Sequence, residues 1–64
     1  MRPRAQAQKE LEENGYLFKR HGGNHDIYFN KELQCSIPLK RHDFDEDDLR
    51  YIYDEIRRNR RGRS

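Results

Sequence analysis

The stretch GYLFKRHGGNHDIYF, from Gly15 to Phe29, decides the fold because a turn separates two alternating segments. From Tyr16 to Arg20, Tyr16 and Phe18 alternate with Leu17 and Lys19, which is the period of two that is typical of a strand. The triplet Gly22–Asn24 then supplies residues that accept a positive φ, as a hairpin turn requires. His25 to Phe29 returns as a second, aromatic-bearing segment. The stretch therefore predicts an antiparallel hairpin with a histidine at the start of its second strand.

A third strand is predicted directly after the hairpin. Asn30 to Leu33 has the composition of a turn, and Gln34 to Pro38 that of a strand. Because proline has no backbone N–H to donate to a ladder, Pro38 is expected at an end or on the edge of the sheet. Together the segments predict a three-stranded antiparallel sheet.

Helices are predicted before and after the sheet. Arg4 to Asn14 is rich in helix formers, Pro3 suits a helix start, and Gly15 suits the position after a helix end. In the last segment, Asp45 is a predicted N-cap with Asp48 as its capping-box partner. The apolar face of this second helix has the spacing i, i+3, i+4, i+7 and consists of Leu49, Ile52, Tyr53 and Ile56.

The order helix, three strands, helix predicts an α+β domain with both helices on one face of the sheet. A single domain would span residues 1–64, with a folded part at 4–58 and a basic, frayed tail at 57–64. Because only 31% of the residues are hydrophobic and 41% are charged, the core is expected to be one thin layer. The other face of the sheet would stay open for binding.

Charge is unevenly distributed, although the formal net charge is only +2. Basic residues cluster at Lys19–His21, Lys40–His42 and Arg57–Arg63, which suits a polyanionic partner. No apolar run approaches membrane-spanning length, and Met1–Gln8 lacks the apolar stretch of a signal peptide. The single cysteine, Cys35, excludes an internal disulfide framework. We therefore expect a cytoplasmic protein that does not bind membranes.

RNA is the polyanion whose chemistry these residues could serve. Its 2′-hydroxyl is an internal nucleophile, so cleavage needs only proton transfer and stabilisation of the charge on the phosphate. His25 could transfer the proton near neutral pH, and Lys19 and Arg20 could bind the phosphate. Gly22 and Gly23 would let the backbone approach the RNA closely. This chemistry needs neither a cofactor nor a metal.

A metal site is the competing interpretation of the ligand-type residues, which are His21, His25, Cys35 and His42. However, His21 and His25 would lie across a tight turn rather than on one helix face, and no C-x₂-C knuckle is present. We therefore predict no metal, with Cys35 filling space in a strand. His21 and His42 are expected to be exposed, where each could lie near the RNA.

Three motifs follow one another along the chain. They are L-E-x-x-G with an aromatic residue, G-[SN]-H with an apolar-aromatic strand, and [IV]-P-x-x-x-H. The residues that match them are Leu11, Glu12, Gly15, Tyr16, Gly23, Asn24, His25, Ile27, Tyr28, Ile37, Pro38 and His42. In order and spacing, these motifs resemble those of the HicA (YcfA-type) toxin family. The resemblance covers residues 9–56, most of the chain. Asp43–Asp48 departs from it, because the family has a Gly-Thr-type segment there. This acidic run would weaken RNA binding if its carboxylates faced the RNA.

The resemblance implies a double-stranded-RNA-binding-domain-like fold and the toxin of a bacterial type II toxin–antitoxin system. Such toxins are endoribonucleases that cleave mRNA and arrest translation. The catalytic histidine would be His25, and a HicB-type antitoxin would cover the active site, within a larger toxin–antitoxin complex. The predicted RNA-binding residues around His25 are Lys19, Arg20, Gly22, Gly23, Asn24, Lys40 and Arg41.

Two other functions remain open from the residues alone. A non-catalytic RNA-binding module of the same fold would bind RNA without turnover, and a protein-interaction domain would use a partner to complete its thin core. An RNA-binding function would be favoured by an aromatic side chain that is free to stack on a base. Tyr16 and Phe18 are expected in the core, where they could not do so. Tyr28 would stack on a base if it faced outward.

Overall fold

The computed structural model describes residues 1–62. Its elements are α1 (Pro3–Glu13), β1 (Tyr16–Gly22), β2 (His25–Asn30), β3 (Cys35–Lys40) and α2 (Glu46–Arg61). The strands form one sheet in the order β1-β2-β3, and both pairings are antiparallel. The predicted α+β order is therefore confirmed.

The hairpin between β1 and β2 turns on only two residues, Gly23 and Asn24, so that β1 extends to Gly22, beyond the predicted end near Arg20. Gly23 has a φ of 62°, whereas Asn24 is not among the residues with positive φ. A positive φ at the first central position alone is the pattern of a type II′ turn, which suits the twist of a hairpin.

β3 starts and ends later than predicted. Pro38 therefore lies inside the strand rather than at its end. The strand is at the edge of the sheet, with only β2 as a neighbour. A proline fits there when its missing N–H would have pointed away from the neighbouring strand. The expected edge position of Pro38 is confirmed, and the ladder continues past it to Lys40.

Both helices pack on one face of the sheet, as predicted. The core between them consists of Ala7, Leu11, Tyr16, Tyr28, Ile37, Leu39, Ile52 and Ile56. Tyr16 is buried as expected, whereas Phe18 lies nearer the rim of the sheet and is 49% exposed. Tyr28 is only 4% exposed and faces the helices, so it is not available to stack on a base.

The two ends of α2 are fixed by different means. At its start, the Asp45 side chain accepts hydrogen bonds from the backbone N–H groups of Asp47 and Asp48, which confirms the predicted capping box. At its end, the helix continues to Arg61, beyond the predicted limit, because its last turns are anchored. Asn59 Nδ2 donates to Tyr16 Oη at 3.1 Å. The remainder of the predicted tail, residues 63–64, lies outside the described residues.

Among residues 1–62, no helix combines the length and the apolarity needed to cross a membrane.

Candidate active site

His25 lies on the face of the sheet that the helices leave open. Residues of β2 alternate, and Asp26, Tyr28 and Asn30 face the helices. His25 therefore points to the opposite face, together with Ile27 and Phe29. Its cross-strand neighbours are Gly22 on β1 and Lys40 on β3. The imidazole is half-buried and makes no hydrogen bond or ion pair within residues 1–62.

An irregularity in β1 brings two predicted cations to this open face. Phe18 pairs with Tyr28 and Arg20 with Ile27, so that Lys19 is an extra residue without a partner on β2. Such a bulge places two successive side chains on the same side of a strand. Lys19 Nζ lies 4.5 Å from the centroid of the Phe29 ring, a cation–π contact on the open face.

Gly22 makes room for the second of these cations. Its φ is ordinary, but a Cβ added there would lie 3.1 Å from Arg20 Nη1 and 3.3 Å from Ile27 Cγ1. The guanidinium of Arg20 therefore lies over the position where Gly22 has no side chain, next to His25 in the ladder. A side chain at position 22 would crowd Arg20 and Ile27, which would have to shift by a few tenths of an ångström, whereas the backbone conformation does not require glycine.

A depression of about 200 Å³ lies beside His25, between the edge strand and α2. The sheet contributes His25, Pro38 and Lys40 to its lining, and the segment leading into α2, with the helix itself, contributes Phe44, Asp48 and Tyr51. Phe44 also packs against the core and is half-buried, whereas Tyr51 is 50% exposed. The histidine thus faces a concave surface that combines aromatic rings with one positive and one negative charge.

Two carboxylates of the acidic run, Asp45 and Asp48, are engaged in local structure at the start of α2. Asp45 caps α2, and Asp48 Oδ2 accepts hydrogen bonds from Asp45 N at 3.0 Å and from Lys40 Nζ at 3.3 Å. The bond from the Asp45 N–H is the main cause that lowers the pKa of Asp48, and Lys40 adds to it. The depression therefore contains a compensated ion pair, Lys40 with Asp48, rather than an unscreened negative charge.

Asp26 is the centre of a polar network on the other side of β2, and the sequence did not single it out. Its carboxylate accepts from Arg4 Nη2 at 2.8 Å and from His21 Nδ1 at 2.7 Å, and lies 3.6 Å from Arg41 Nε. The hydrogen bond from His21 is the main cause that lowers the pKa of Asp26, with Arg4 acting in the same direction against partial burial. The network ties α1, both strands of the hairpin and the end of β3 together.

Arg41 braces the hairpin turn. Its Nη2 donates to the carbonyl of Gly23, and its backbone N–H donates to the carbonyl of Asn24 at 3.0 Å. The three predicted RNA-binding residues Gly23, Asn24 and Arg41 therefore lie together at the turn. Lys19, Arg20, Gly22 and Lys40 lie with His25 on the open face.

The remaining ligand-type residues are dispersed. His21 is exposed and bound to Asp26, and His42 is exposed in the loop before α2. Cys35 packs against the core, with its Sγ 3.6 Å from Tyr16 Oη. Within residues 1–62, no group of three or more His, Cys, Asp or Glu side chains could hold a metal ion.

An apolar patch lies at the outer strand of the sheet, away from His25. Leu17 is 63% exposed and Phe18 is 49% exposed, and both border a groove that Phe29 and Lys31 also line. Since β1 has only β2 as a neighbour, its outer edge is unpaired within the described residues.

Searches against family models, curated proteins and solved structures return no match to this chain. The functional interpretation therefore depends on the geometry of the open face and on the motif resemblance.

Proposed function

We propose that this protein is a metal-independent endoribonuclease that cleaves mRNA, with His25 as its catalytic residue. The observation that supports this most directly is the placement of His25 on the open face, in the same ladder as Lys40 and Gly22. The bulge in β1 adds Lys19 and Arg20 to that face. A proton-transfer group without a structural partner thus lies beside Lys40 in the ladder and opposite Gly22, over which the Arg20 guanidinium lies, whereas Lys19 lies farther along the same face at Phe29.

In the proposed reaction, the 2′-oxygen of the RNA attacks the adjacent phosphorus while His25 accepts the 2′-hydroxyl proton. The bond from phosphorus to the 5′-oxygen breaks, and the imidazolium gives its proton to that departing oxygen. The products are a 2′,3′-cyclic phosphate and a free 5′-hydroxyl. Lys19 and Arg20 stabilise the charge that develops on the non-bridging oxygens. No electron transfer or co-reactant is required.

The biological role that fits this activity is that of a toxin in a type II toxin–antitoxin system, neutralised by a HicB-type antitoxin. The support is the motif resemblance around His25 together with the α-β-β-β-α order. The exposed apolar Leu17 and Phe18 add to it, because an interaction surface for a protein partner commonly carries such residues.

The test is cleavage of a labelled single-stranded RNA by the purified protein in excess EDTA. Wild type is expected to cleave, whereas His25→Ala is expected to bind RNA without cleaving it. His42→Ala is the matched control, because His42 is exposed and does not line the depression. Cleavage by the His25→Ala variant at the wild-type rate would remove His25 from the role.

A non-catalytic RNA-binding module is the second candidate, and one observation favours it. Lys40, the cross-strand neighbour of His25, already pairs with Asp48 and is only partly available to a phosphate. Under this alternative, RNA binding would weaken with salt, no product would form, and His25→Ala would leave the affinity unchanged.

A further inference from the structure

We propose that the depression beside His25 is a binding site for one unpaired RNA base. The base stacks on Tyr51 and is recognised by the carboxylate of Asp48. The site takes a base with an exocyclic amino group (adenine, cytosine or guanine) in preference to uracil. That this base belongs to a nucleotide flanking the cleaved phosphate rests on the proposed function, but the binding site itself can be tested without any cleavage.

The aromatic lining of the depression supplies the stacking surface. Tyr51 lies on α2 at a position that is 50% exposed, although its neighbours along the helix surface are mainly charged. Phe44 lines the same depression and is held against the core, so that it forms a fixed apolar wall. An unpaired base stacked on an aromatic side chain is the usual mode in which proteins bind single-stranded RNA.

Asp48 supplies the hydrogen-bond acceptor that distinguishes one base from another. Its Oδ2 is occupied by Asp45 N and Lys40 Nζ, which fixes the orientation of the carboxylate. Its Oδ1 has no hydrogen-bond partner within residues 1–62. An ionised carboxylate can only accept, and it pairs with exocyclic amino groups such as N4 of cytosine. Uracil has the O4 carbonyl in place of such a group, and its N3–H donor lies between two carbonyl oxygens, which a carboxylate repels.

The position and the size of the depression fit a single nucleotide. Its volume of about 200 Å³ can accommodate one base but not a base pair, so the ligand must be single-stranded at this point. His25 and Lys40 form one wall, and Tyr51 and Asp48 another. A nucleotide bound there would have its base against α2 and its backbone next to the cations of the open face.

Base binding is tested with 2′-deoxy trinucleotides, which lack the nucleophile and cannot be cleaved by the proposed reaction. The central position carries adenine, cytosine, guanine, uracil or no base, and affinity for the full chain is measured by fluorescence anisotropy. Removing the base, or replacing Tyr51 by Ala, is expected to weaken binding by about tenfold, the effect of losing one stacked base. The matched control is Phe18→Ala, an aromatic residue with the same exposure outside the depression. Equal affinity for the base-containing and the abasic ligands would overturn the inference.

Base preference is tested with Asp48→Asn, since an amide keeps the shape but can both donate and accept. The preference for amino-bearing bases over uracil is expected to disappear in this variant, while the difference between base and no base remains. Asp47→Asn is the control, because Asp47 lies in the same helical turn, is exposed and does not line the depression. Circular dichroism checks that α2 keeps its capped start. A preference for amino-bearing bases that survives Asp48→Asn would contradict the role of the carboxylate.

A parallel assay with ribonucleotides separates this inference from the proposed function. Base-dependent binding that Tyr51→Ala removes, in a protein that never cleaves RNA, would support the base site and reject the nuclease. If wild type cleaves RNA, and Tyr51→Ala changes neither the binding nor the products, the nuclease is supported and the base site is rejected.

Discussion

His25 and Asp26 are neighbours on β2, yet their side chains have opposite surroundings. Asp26 points to the helix side and contacts Arg4 of α1, His21 of β1 and Arg41, which directly follows β3. His25 points to the open side and has no polar partner within residues 1–62. The comparison shows that Asp26 has a structural role, whereas no structural contact accounts for the side chain of His25. One face of the strand uses its charge to hold the chain together, and the other leaves a titratable group available to a ligand.

The largest expected effect comes from breaking the helix side of the sheet. Ile37 pairs with Tyr28 across β2 and β3 and is fully buried. Replacing it by Ala should destabilise the protein by about 2–5 kcal/mol, which is comparable to the whole stability of a domain this small. Ile27→Ala, on the open side of the same sheet, should cost far less. Urea unfolding of both variants tests this contrast, and equal losses of stability would mean that the sheet has no open face.

The next effect is on activity rather than stability. His25→Ala should lower the cleavage rate by roughly 100-fold or more, the usual contribution of a positioned proton-transfer group. Its unfolding midpoint should stay close to that of wild type, because no partner loses a hydrogen bond. Rate constants under single-turnover conditions, measured beside urea midpoints, provide the check. A variant that loses activity only in proportion to its loss of folded protein would argue against a catalytic role.

Asp26 is expected to affect stability with a defined pH dependence. Its pKa in the folded protein is below the ordinary value of 3.8, chiefly through the hydrogen bond from His21. The carboxylate therefore stabilises the fold above the unfolded-state pKa, and this contribution is lost as pH falls through the lower folded-state pKa. Asp26→Asn should reduce stability near neutral pH and flatten its decline below about pH 4.

Thermal unfolding between neutral and acidic pH tests this prediction. Glu13→Gln is a control, since Glu13 is an exposed carboxylate in α1 with no ion pair within the described residues. If Asp26→Asn and wild type show the same decline in acid, the three contacts of Asp26 do not stabilise the native state.

Most of the fold could be predicted from the sequence because turns, strand alternation and helix caps are set by residues close together in the chain. The turn glycine, the period-two segments and the Asp45 capping box each act within a few residues, and each was found where predicted. The ends of the elements depended on more distant contacts. β3 passes through Pro38 because it is an edge strand, and α2 reaches Arg61 because Asn59 bonds to Tyr16.

The candidate site was less predictable, since its parts come from distant segments. The motif around His25 made the histidine the candidate residue, but the sequence did not say which face of the sheet would be buried. The bulge at Lys19 reverses the alternation in β1 after Phe18. Phe18 itself pairs with the buried Tyr28 but lies on an outer strand, where it is half-exposed although it was expected in the core. Tyr51 was missed altogether. Its only signal was an aromatic residue on the charged side of an amphipathic helix.

The smallest effects come from the two adjacent glycines of the hairpin, which are needed for different reasons. Gly23 has a φ of 62° and open space around it, so Gly23→Ala should cost about 1 kcal/mol of stability and lower RNA affinity less than Gly22→Ala does. Gly22→Ala should affect RNA affinity more than stability, because its Cβ would push the Arg20 guanidinium aside by a few tenths of an ångström without straining the backbone. We expect a loss of RNA affinity of about threefold, close to the effect of one weakened phosphate contact. Urea midpoints and anisotropy titrations on both variants decide the matter. If Gly22→Ala binds RNA like wild type, the position of Arg20 over Gly22 is not part of the binding surface.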